Sequence, residues 1–331
     1  MLWRIVTVCL TLWLGGVCPA IAAEQKERMD PVRDYGDVYF WTADSGLIGD
    51  GQELVLTRDA GRTWTPVLSV YGPDRGLASI RRFGTLSSQL WWFEDSGNLW
   101  RTMDQGQTWT IRPLPNVGQV VFVAPDEAWA VQADSKALAH SLDGGLTWQR
   151  KTLTGAGNRR LDIVRLSFVS PSVGWVEGGD NSLLQTTDGG QTWVSHGQLP
   201  GHFPLLFFLD RYVGYALDLE TPKISFTRDG GAIWQTAILP GLPSRLPLGS
   251  VFALDPLMAW AVGSRGTILG TTDGGATWQI QRSGTSQALA GIFFTNRLHG
   301  WAVGHSNTIL KTTDGGQTWI KVDDDLKNWQ P

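Results

Sequence analysis

The sequence predicts an all-β fold, a seven-bladed β-propeller of four-stranded blades, and three observations carry that prediction. A turn signature, [ST]-x-D-x-G-x-T-W, recurs seven times along the 331 residues. Its aspartates are spaced by 45, 39, 45, 41, 44 and 41 residues, the length of one four-stranded blade. An aromatic residue in a short apolar run precedes most of these aspartates by 13 or 14 residues, so a second element runs in phase with the first.

The seven copies, or Asp-boxes, occupy 57–64, 102–109, 141–148, 186–193, 227–234, 271–278 and 312–319. Their aspartates are Asp59, Asp104, Asp143, Asp188, Asp229, Asp273 and Asp314. Their tryptophans are Trp64, Trp109, Trp148, Trp193, Trp234, Trp278 and Trp319. The fifth copy places Ile233 where the others have Thr. Each box reads as the hairpin turn between the third and fourth strands of a blade, C and D, with C ending on the Thr or Ser and D starting at the Trp. A short carboxylate in such a turn accepts hydrogen bonds from N–H groups of its own loop. Gly supplies a backbone conformation that a side chain would strain, and Trp lays an apolar face over the hairpin base. A group needed in every blade serves the fold rather than a reaction, so the boxes are expected to be structural.

The in-phase aromatics are Trp91, Trp129, Trp175, Tyr215, Trp260 and Trp301, in runs such as Trp301-Ala302-Val303-Gly304, and they mark strand B. Upstream, runs such as Val120-Val121-Phe122-Val123, Leu166-Ser167-Phe168-Val169, Leu205-Leu206-Phe207-Phe208 and Gly291-Ile292-Phe293-Phe294 mark the innermost strand A, expected to be apolar on both faces. The first unit departs from the pattern. Trp41 precedes Asp59 by 18 residues, which reads as an insertion at 46–51 between strands B and C, and strand A falls on the polar stretch 29–34. Only twelve residues follow Trp319, and the mode of ring closure is not encoded in any motif.

Composition agrees with this architecture. Hydrophobic residues make up 42% and charged residues 18%, enough apolar material for a large core, and the 40 Gly and 18 Trp suit tight turns and aromatic anchors. Residues 1–23 read as a secretory signal peptide. One Arg precedes an apolar run too short to span a bilayer comfortably, and Pro19-Ala20-Ile21-Ala22-Ala23 offers a small-residue cleavage site. The rest, 24–331, is expected to be a single propeller domain. Val17 before Cys18 departs from the lipoprotein pattern, and both cysteines, Cys9 and Cys18, lie within the signal, so no disulfide is expected in the mature chain. The formal net charge of −4, without a basic run longer than two residues, argues against nucleic acid as a partner.

Candidate chemistry is sparse. His140, His196, His202, His299 and His305 lack metal-ligand spacing and read as exposed loop residues, and Asp323-Asp324-Asp325 reads as a solvated tail, so neither a metal nor a cofactor is expected. No nucleophile-elbow, phosphate-loop, zinc-protease or Cys-x-x-Cys motif occurs. What varies lies opposite the boxes, in the B–C loops and D–A connections. Arg75, Arg159, Arg160, Arg245 and Arg265 stand there amid Gly and Pro, and are the candidate residues for a protein-binding face.

Seven boxes in phase with Gly-Trp-Ala-Val-Gly, and the runs Thr267 to Trp278 and Thr308 to Trp319, resemble the photosystem II stability/assembly factor family, whose members include relatives in non-photosynthetic bacteria. The resemblance covers nearly the whole mature chain. It implies a non-catalytic, exported propeller, in the periplasm or, in a phototroph, the thylakoid lumen. It implies a monomer, peripheral to the membrane at most, that binds a membrane-protein complex or assembly intermediate. The family's arginine patch does not transfer residue by residue, because the loops do not align by motif. Two other readings compete. A sialidase-like glycosidase would need a Phe/Tyr-Arg-Ile-Pro motif, which Pro31-Val32-Arg33-Asp34 does not match, together with an arginine triad and a Tyr nucleophile with a Glu partner. The remaining reading is a secreted carbohydrate- or protein-binding propeller.

Overall fold

A computed structural model describes residues 34–322, apart from 52, 70–82, 96, 115, 133, 135, 154–160, 200–204 and 219–220. It consists of seven four-stranded antiparallel sheets, each consecutive in sequence and ordered A-B-C-D. Blade 1 runs Asp37–Phe40, Gly46–Gly49, Glu53–Thr57 and Thr65–Ser69. Blade 2 runs Phe83–Thr85, Trp91–Asp95, Asn98–Thr102 and Thr110–Pro113, and blade 3 runs Val117–Phe122, Ala128–Gln132, Leu138–Ser141 and Gln149–Lys151. Blade 4 comprises Ile163–Phe168, Gly174–Gly178, Ser182–Thr186 and Val194–Gln198, and blade 5 comprises Leu205–Phe208, Gly214–Asp218, Lys223–Thr227 and Gln235–Thr236. Blade 6 is Leu248–Ala253, Ala259–Gly263, Thr267–Thr271 and Gln279–Gln281; blade 7 is Leu289–Phe294, Gly300–Gly304, Thr308–Thr312 and Ile320–Lys321. Every strand C ends on the Thr or Ser that opens its box, as the motif predicts. Strand D begins one residue after the box Trp rather than on it.

The boxes behave alike at atomic detail. In blade 1 the Thr57 hydroxyl donates to Asp59 Oδ1 at 2.9 Å and accepts from the Gly61 N–H at 2.9 Å. The Asp59 carboxylate accepts from the Thr63 N–H at 2.9 Å and from the Thr63 hydroxyl at 2.6 Å. The same four bonds recur in blade 7 through Thr312, Asp314, Gly316 and Thr318. Blade 5 keeps the backbone bond, Ile233 N–H to Asp229 at 2.9 Å, but has no hydroxyl to add the last one. Gly61 and Gly316 adopt φ of 83° and 90°, the left-handed region that a side chain disfavours.

Each box also clamps the A–B turn of its own blade. The residue after the box Asp donates its N–H to a turn carbonyl: Ala60 to Asp44, Gln105 to Gln89, Gly144 to Asp126, Gly189 to Ser172, Gly230 to Tyr212, Gly274 to Leu257 and Gly315 to Leu298, all between 2.7 and 3.3 Å. The outer hairpin is thereby tied to the inner strand.

Aromatic stacking joins neighbouring blades. Between blades 4 and 5, 6 and 7, and 7 and 1, the strand-B aromatic of one blade lies flat on the Phe that ends strand A of the next: Trp175 on Phe208 at 3.8 Å, Trp260 on Phe294 at 3.5 Å, and Trp301 on Phe40 at 3.7 Å. The box Trp then meets that same Phe edge-on, as Trp234 does Phe208 and Trp319 does Phe294. The Gly that starts strand B makes room for the Phe. A Cβ on Gly214 would lie 2.5 Å from the Phe208 ring, and one on Gly300 2.5 Å from Phe294. The Gly-Trp pair is thus one packing device: Gly admits a ring from its own blade and Trp covers a ring in the next.

The ring closes by this packing. All four strands of blade 7 come from one continuous stretch, and no strand of blade 1 completes it. Trp301, Val303 and Ile309 of blade 7 share a core with Phe40, Ile48, Val55 and Trp64 of blade 1. Two backbone N–H groups pin the seam, Tyr35 to the Gly304 carbonyl at 3.1 Å and Ser306 to Asp34 Oδ1 at 2.9 Å.

Blade 1 and blade 2 correct the sequence reading. Residues 46–49 are strand B itself, not an insertion, and strand A is Asp37–Phe40 rather than 29–34, of which 29–33 lie outside the described residues. Register shows Leu47 where blade 7 has Trp301, since Gly46 pairs with Thr57 as Gly300 pairs with Thr312. In blade 2 the same register selects Trp92, not Trp91. Strand A is also not uniformly buried. Its residues alternate between buried and half-exposed, as in Leu248–Ala253, because alternate side chains line the central channel.

Candidate functional site

Chain direction sorts the loops into two rims. Strands A and C end, and B and D begin, on the box rim; the B–C turns and D–A connections form the opposite rim. Two of the five candidate arginines are described, and both lie on that opposite rim. Arg245 is exposed in the connection between blades 5 and 6, and Arg265 is exposed in the B–C turn of blade 6. The structure brings their backbones together. Ser264, beside Arg265, donates its N–H to the carbonyl of Pro247 at 3.0 Å, two residues from Arg245. Arg265 itself sits at φ 56° and ψ 34°, an unusual conformation for a long side chain, held by Thr267 Oγ1 donating to the Ser264 carbonyl at 2.8 Å. Neither guanidinium has a carboxylate within 4.0 Å among the described residues. Arg75, Arg159 and Arg160 lie outside the described residues, as does Asp323-Asp324-Asp325.

The boxes are electrostatically settled. Hydrogen bonds from Thr318 and its N–H hold the Asp314 carboxyl at about 2, and those from Thr192 do the same for Asp188. Such carboxylates are ionised and spoken for, which suits a turn and not a proton donor. No cluster of three or more His, Cys, Asp or Glu side chains with metal-binding geometry occurs among the described residues. His140 differs from the exposed loop residue expected. It stacks on Trp129 at 3.9 Å, and its Nε2 lies 2.9 Å from Glu127 Oε1.

Sequence reasoning missed one polar group, Glu177 on strand B of blade 4. It is buried to 2% exposure, and burial pushes its carboxyl up to about 7, against the pull of Arg165, whose Nε lies 3.9 Å away. Oε2 has no hydrogen-bond partner among the described residues. The two side chains line a cavity of about 140 Å³ in the channel wall with Gln119, Ser167, Trp175, Leu205 and Leu206. Gln119 bridges blades 3 and 4 there, exchanging bonds of 2.9 and 3.1 Å with the Leu166 backbone. The signal available in the sequence was Glu177 standing in the Gly-Trp-Val-Glu run, where blades 3, 5, 6 and 7 continue with Val or Leu and only blade 2, with Glu94, has a carboxylate. A glycosidase places two carboxyl groups across a sugar cleft. This cavity is lined by one.

With this geometry established, the comparisons decide the family. The model of the photosystem II assembly factor YCF48 matches residues 112–242 and 243–327, more than half of the chain. The chain belongs to the YCF48 family. A photosystem II assembly protein Ycf48 from Thermosynechococcus vestitus is 27% identical over 189 residues, 53% of this chain and 51% of that protein. A photosystem II assembly lipoprotein Ycf48 from Synechocystis is 39% identical over 134 residues, 37% of this chain and 38% of that one. The chain therefore spans about half the length, or less, of these curated relatives. Among solved structures, YCF48 from Cyanidioschyzon merolae superposes with a TM-score of 0.64 at 19% identity, covering 86% of this chain and 97% of that one. YCF48 bound to a D1 peptide gives 0.62 at 20%, covering 86% and 96%. A GH74 xyloglucanase from Xanthomonas campestris gives 0.69 at 14%, covering 88% and 55%. At these identities the likeness to solved structures is one of fold.

Proposed function

We propose that this chain is an exported, non-catalytic propeller that captures segments of a membrane-protein complex or assembly intermediate on the rim opposite its Asp-boxes. In a phototroph the partner would be a photosystem II intermediate; elsewhere it would be another envelope complex. The observation that carries the reading is the pair Arg245 and Arg265, both exposed on that rim with no carboxylate within 4.0 Å among the described residues, their segments joined by the bond from the Ser264 N–H to the Pro247 carbonyl. Exposed guanidinium groups can fork onto a carboxylate or stack on an aromatic side chain of a partner. Family membership supports it, as does a relative seen with a D1 peptide bound. Arg75, Arg159 and Arg160 extend the proposed face, and the protein acts there as a peripheral monomer.

Crosslinking in the native envelope, followed by identification of the bound chains, tests the proposal. Membrane-protein subunits should be recovered with the native chain and lost when all five arginines are replaced by Ala. Unchanged recovery would overturn the arginine face, and turnover of a sialoside or glucan by the purified protein would overturn the non-catalytic reading.

A further inference from the structure

Two sets of equivalent positions on the box rim change character together around the ring. The first is the A–B turn residue whose carbonyl receives the box N–H. From blade 1 it reads Asp44, Gln89, Asp126, Ser172, and then Tyr212, Leu257 and Leu298. The box uses only the backbone here, so the fold places no demand on these side chains, and four blades do with polar ones. The last three are nevertheless large and apolar, exposed to 52, 52 and 53%. The second set is the penultimate residue of strand A, paired with the strand-B aromatic, or with Leu47 in blade 1, and half-exposed. Blades 2 to 4 carry Gly84, Val121 and Ser167 there; blades 5, 6, 7 and 1 carry Phe207, Phe252, Phe293 and Tyr39. These four rings touch in succession, with centroids 6.2, 4.6 and 4.7 Å apart. An outer row of apolar tips thus stands over an inner arc of aromatic rings across the same three blades. Ile233, the residue that breaks the box pattern, adds a fourth exposed apolar side chain in that sector.

We propose that the box rim of blades 5 to 7 is a second docking surface, for an apolar and positively charged segment of a partner protein. Apolar tips rimmed by polar groups mark interaction surfaces. Charge selects the partner: in the sector Asp210, Asp229, Asp255, Asp273 and Asp314 outnumber Arg211, Arg228, Arg297 and Lys311, and Asp126, Glu127 and Asp143 continue the acidic side over blade 3, while in blade 1 Arg58 and Arg62 balance Asp44 and Asp59. The cations within the sector are engaged locally: Arg297 pairs with Asp255 at 2.9 Å, Arg228 donates to the Asp273 carbonyl, and Arg211 lies over the Tyr212 ring. A segment crossing the rim would lay apolar side chains on Tyr212, Leu257 and Leu298 and reach Lys or Arg toward Asp126 and the acidic turn of blade 3. The surface is separate from the arginine rim, so it can be occupied at the same time.

The test uses the full mature protein and a synthetic Lys/Leu amphipathic peptide, with a Glu/Leu peptide of the same pattern as control. The Lys/Leu peptide should bind, weaken with salt, and protect amides of the A–B turns of blades 5 to 7 in hydrogen exchange. The triple variant Tyr212→Ser, Leu257→Ser, Leu298→Ser should weaken it tenfold or more with an unchanged melting temperature, since the three tips are exposed. Arg245→Ala with Arg265→Ala should leave it unchanged. Equal binding by the triple variant, equal binding of the Glu/Leu peptide, or a footprint on the opposite rim would each overturn the proposal, as would preferential binding to phosphatidylcholine vesicles. None of these outcomes bears on capture by the arginine rim.

Discussion

The seam between blades 7 and 1 and the seam between blades 1 and 2 solve one packing problem with different residues. At the first, Trp301 of strand B lies on Phe40, the last residue of the next strand A, at 3.7 Å and 11°. At the second, strand B offers Leu47 and the next strand A offers Thr85, so neither ring is where the pattern puts it. The stack is rebuilt nonetheless. Trp41, from the A–B turn, lies on Trp91 at 5.1 Å and 13°. Trp91 stands across from Thr85, in the place of the small residue, and Gly84 has become the residue that gives room, since a Cβ there would clash with the Trp92 ring. A flat aromatic pair with a gap beside it serves both of these seams, and which strand supplies each is free. Between blades 5 and 6, where strand A ends on Ala253, Tyr215 meets Trp278 edge-on instead.

The largest expected effect comes from removing the ring at the closing seam. Trp301→Ala should cost about 3–5 kcal/mol, a range typical of deleting a fully buried tryptophan. Trp41→Ala should cost less, about 2–3 kcal/mol, because Trp41 is only half-buried. Urea unfolding of both variants checks the order, and equal costs would mean that the rebuilt stack is as tight as the regular one.

The gap is tested next. Gly46→Ala and Gly84→Ala, on opposite strands in adjacent blades, should each cost about 1–3 kcal/mol by forcing a methyl group into the Phe40 or Trp92 ring. Gly36→Ala, with nothing within 4 Å of the added carbon, should be near neutral in the same urea unfolding.

These two seams also show what was legible in the sequence. Seven boxes, their spacing and the ends of all seven C strands could be read directly, because each box is a local turn whose Asp and Thr or Ser side-chain hydrogen bonds stay within eight residues. The swap in blades 1 and 2 could not. Trp41 and Trp91 are aromatics at a plausible distance from a box, and only the pairing of Gly46 with Thr57 and of Trp92 with Arg101 reveals which strand positions they fill. Arg245 and Arg265 were legible as loop residues, whereas the approach of their segments rests on a backbone bond, Ser264 to Pro247, that no sequence signal announces. Glu177 was passed over because a single Glu in an apolar strand carries no periodic signal.

Glu177 sharpens the comparison through pH. Its folded carboxyl is raised to about 7 from an ordinary 4.5, so the folded chain holds this proton more tightly and loses stability as pH rises from 4.5 to 7. Glu177→Gln should leave stability unchanged near pH 4 and raise it by about 3 kcal/mol at pH 8, the attraction of Arg165 being already contained in the raised value. The boxes tilt the other way. Their carboxyls are lowered, so their contribution is full above pH 4 and falls away as the pH drops toward 2. Melting temperature measured from pH 2 to 8 should therefore show an acid-side loss that the Gln variant keeps, and an alkaline-side decline that it removes.

The smallest effect is expected in blade 5. Ile233→Thr restores the hydroxyl that reaches the box carboxylate in the other six blades, and should stabilise by about 0.5 kcal/mol at this exposed site. In the peptide-binding assay the same change removes one apolar tip from the sector.

The bond from each box to the A–B turn of its own blade has a kinetic consequence. It joins the outermost hairpin to the innermost strand, so a blade cannot fray from its edge without releasing an amide at the channel side as well. The seven donors, from Ala60 to Gly315, are built-in reporters of that coupling. Their slow exchange with solvent deuterium would report the opening of whole blades, one at a time, rather than the loosening of individual strands.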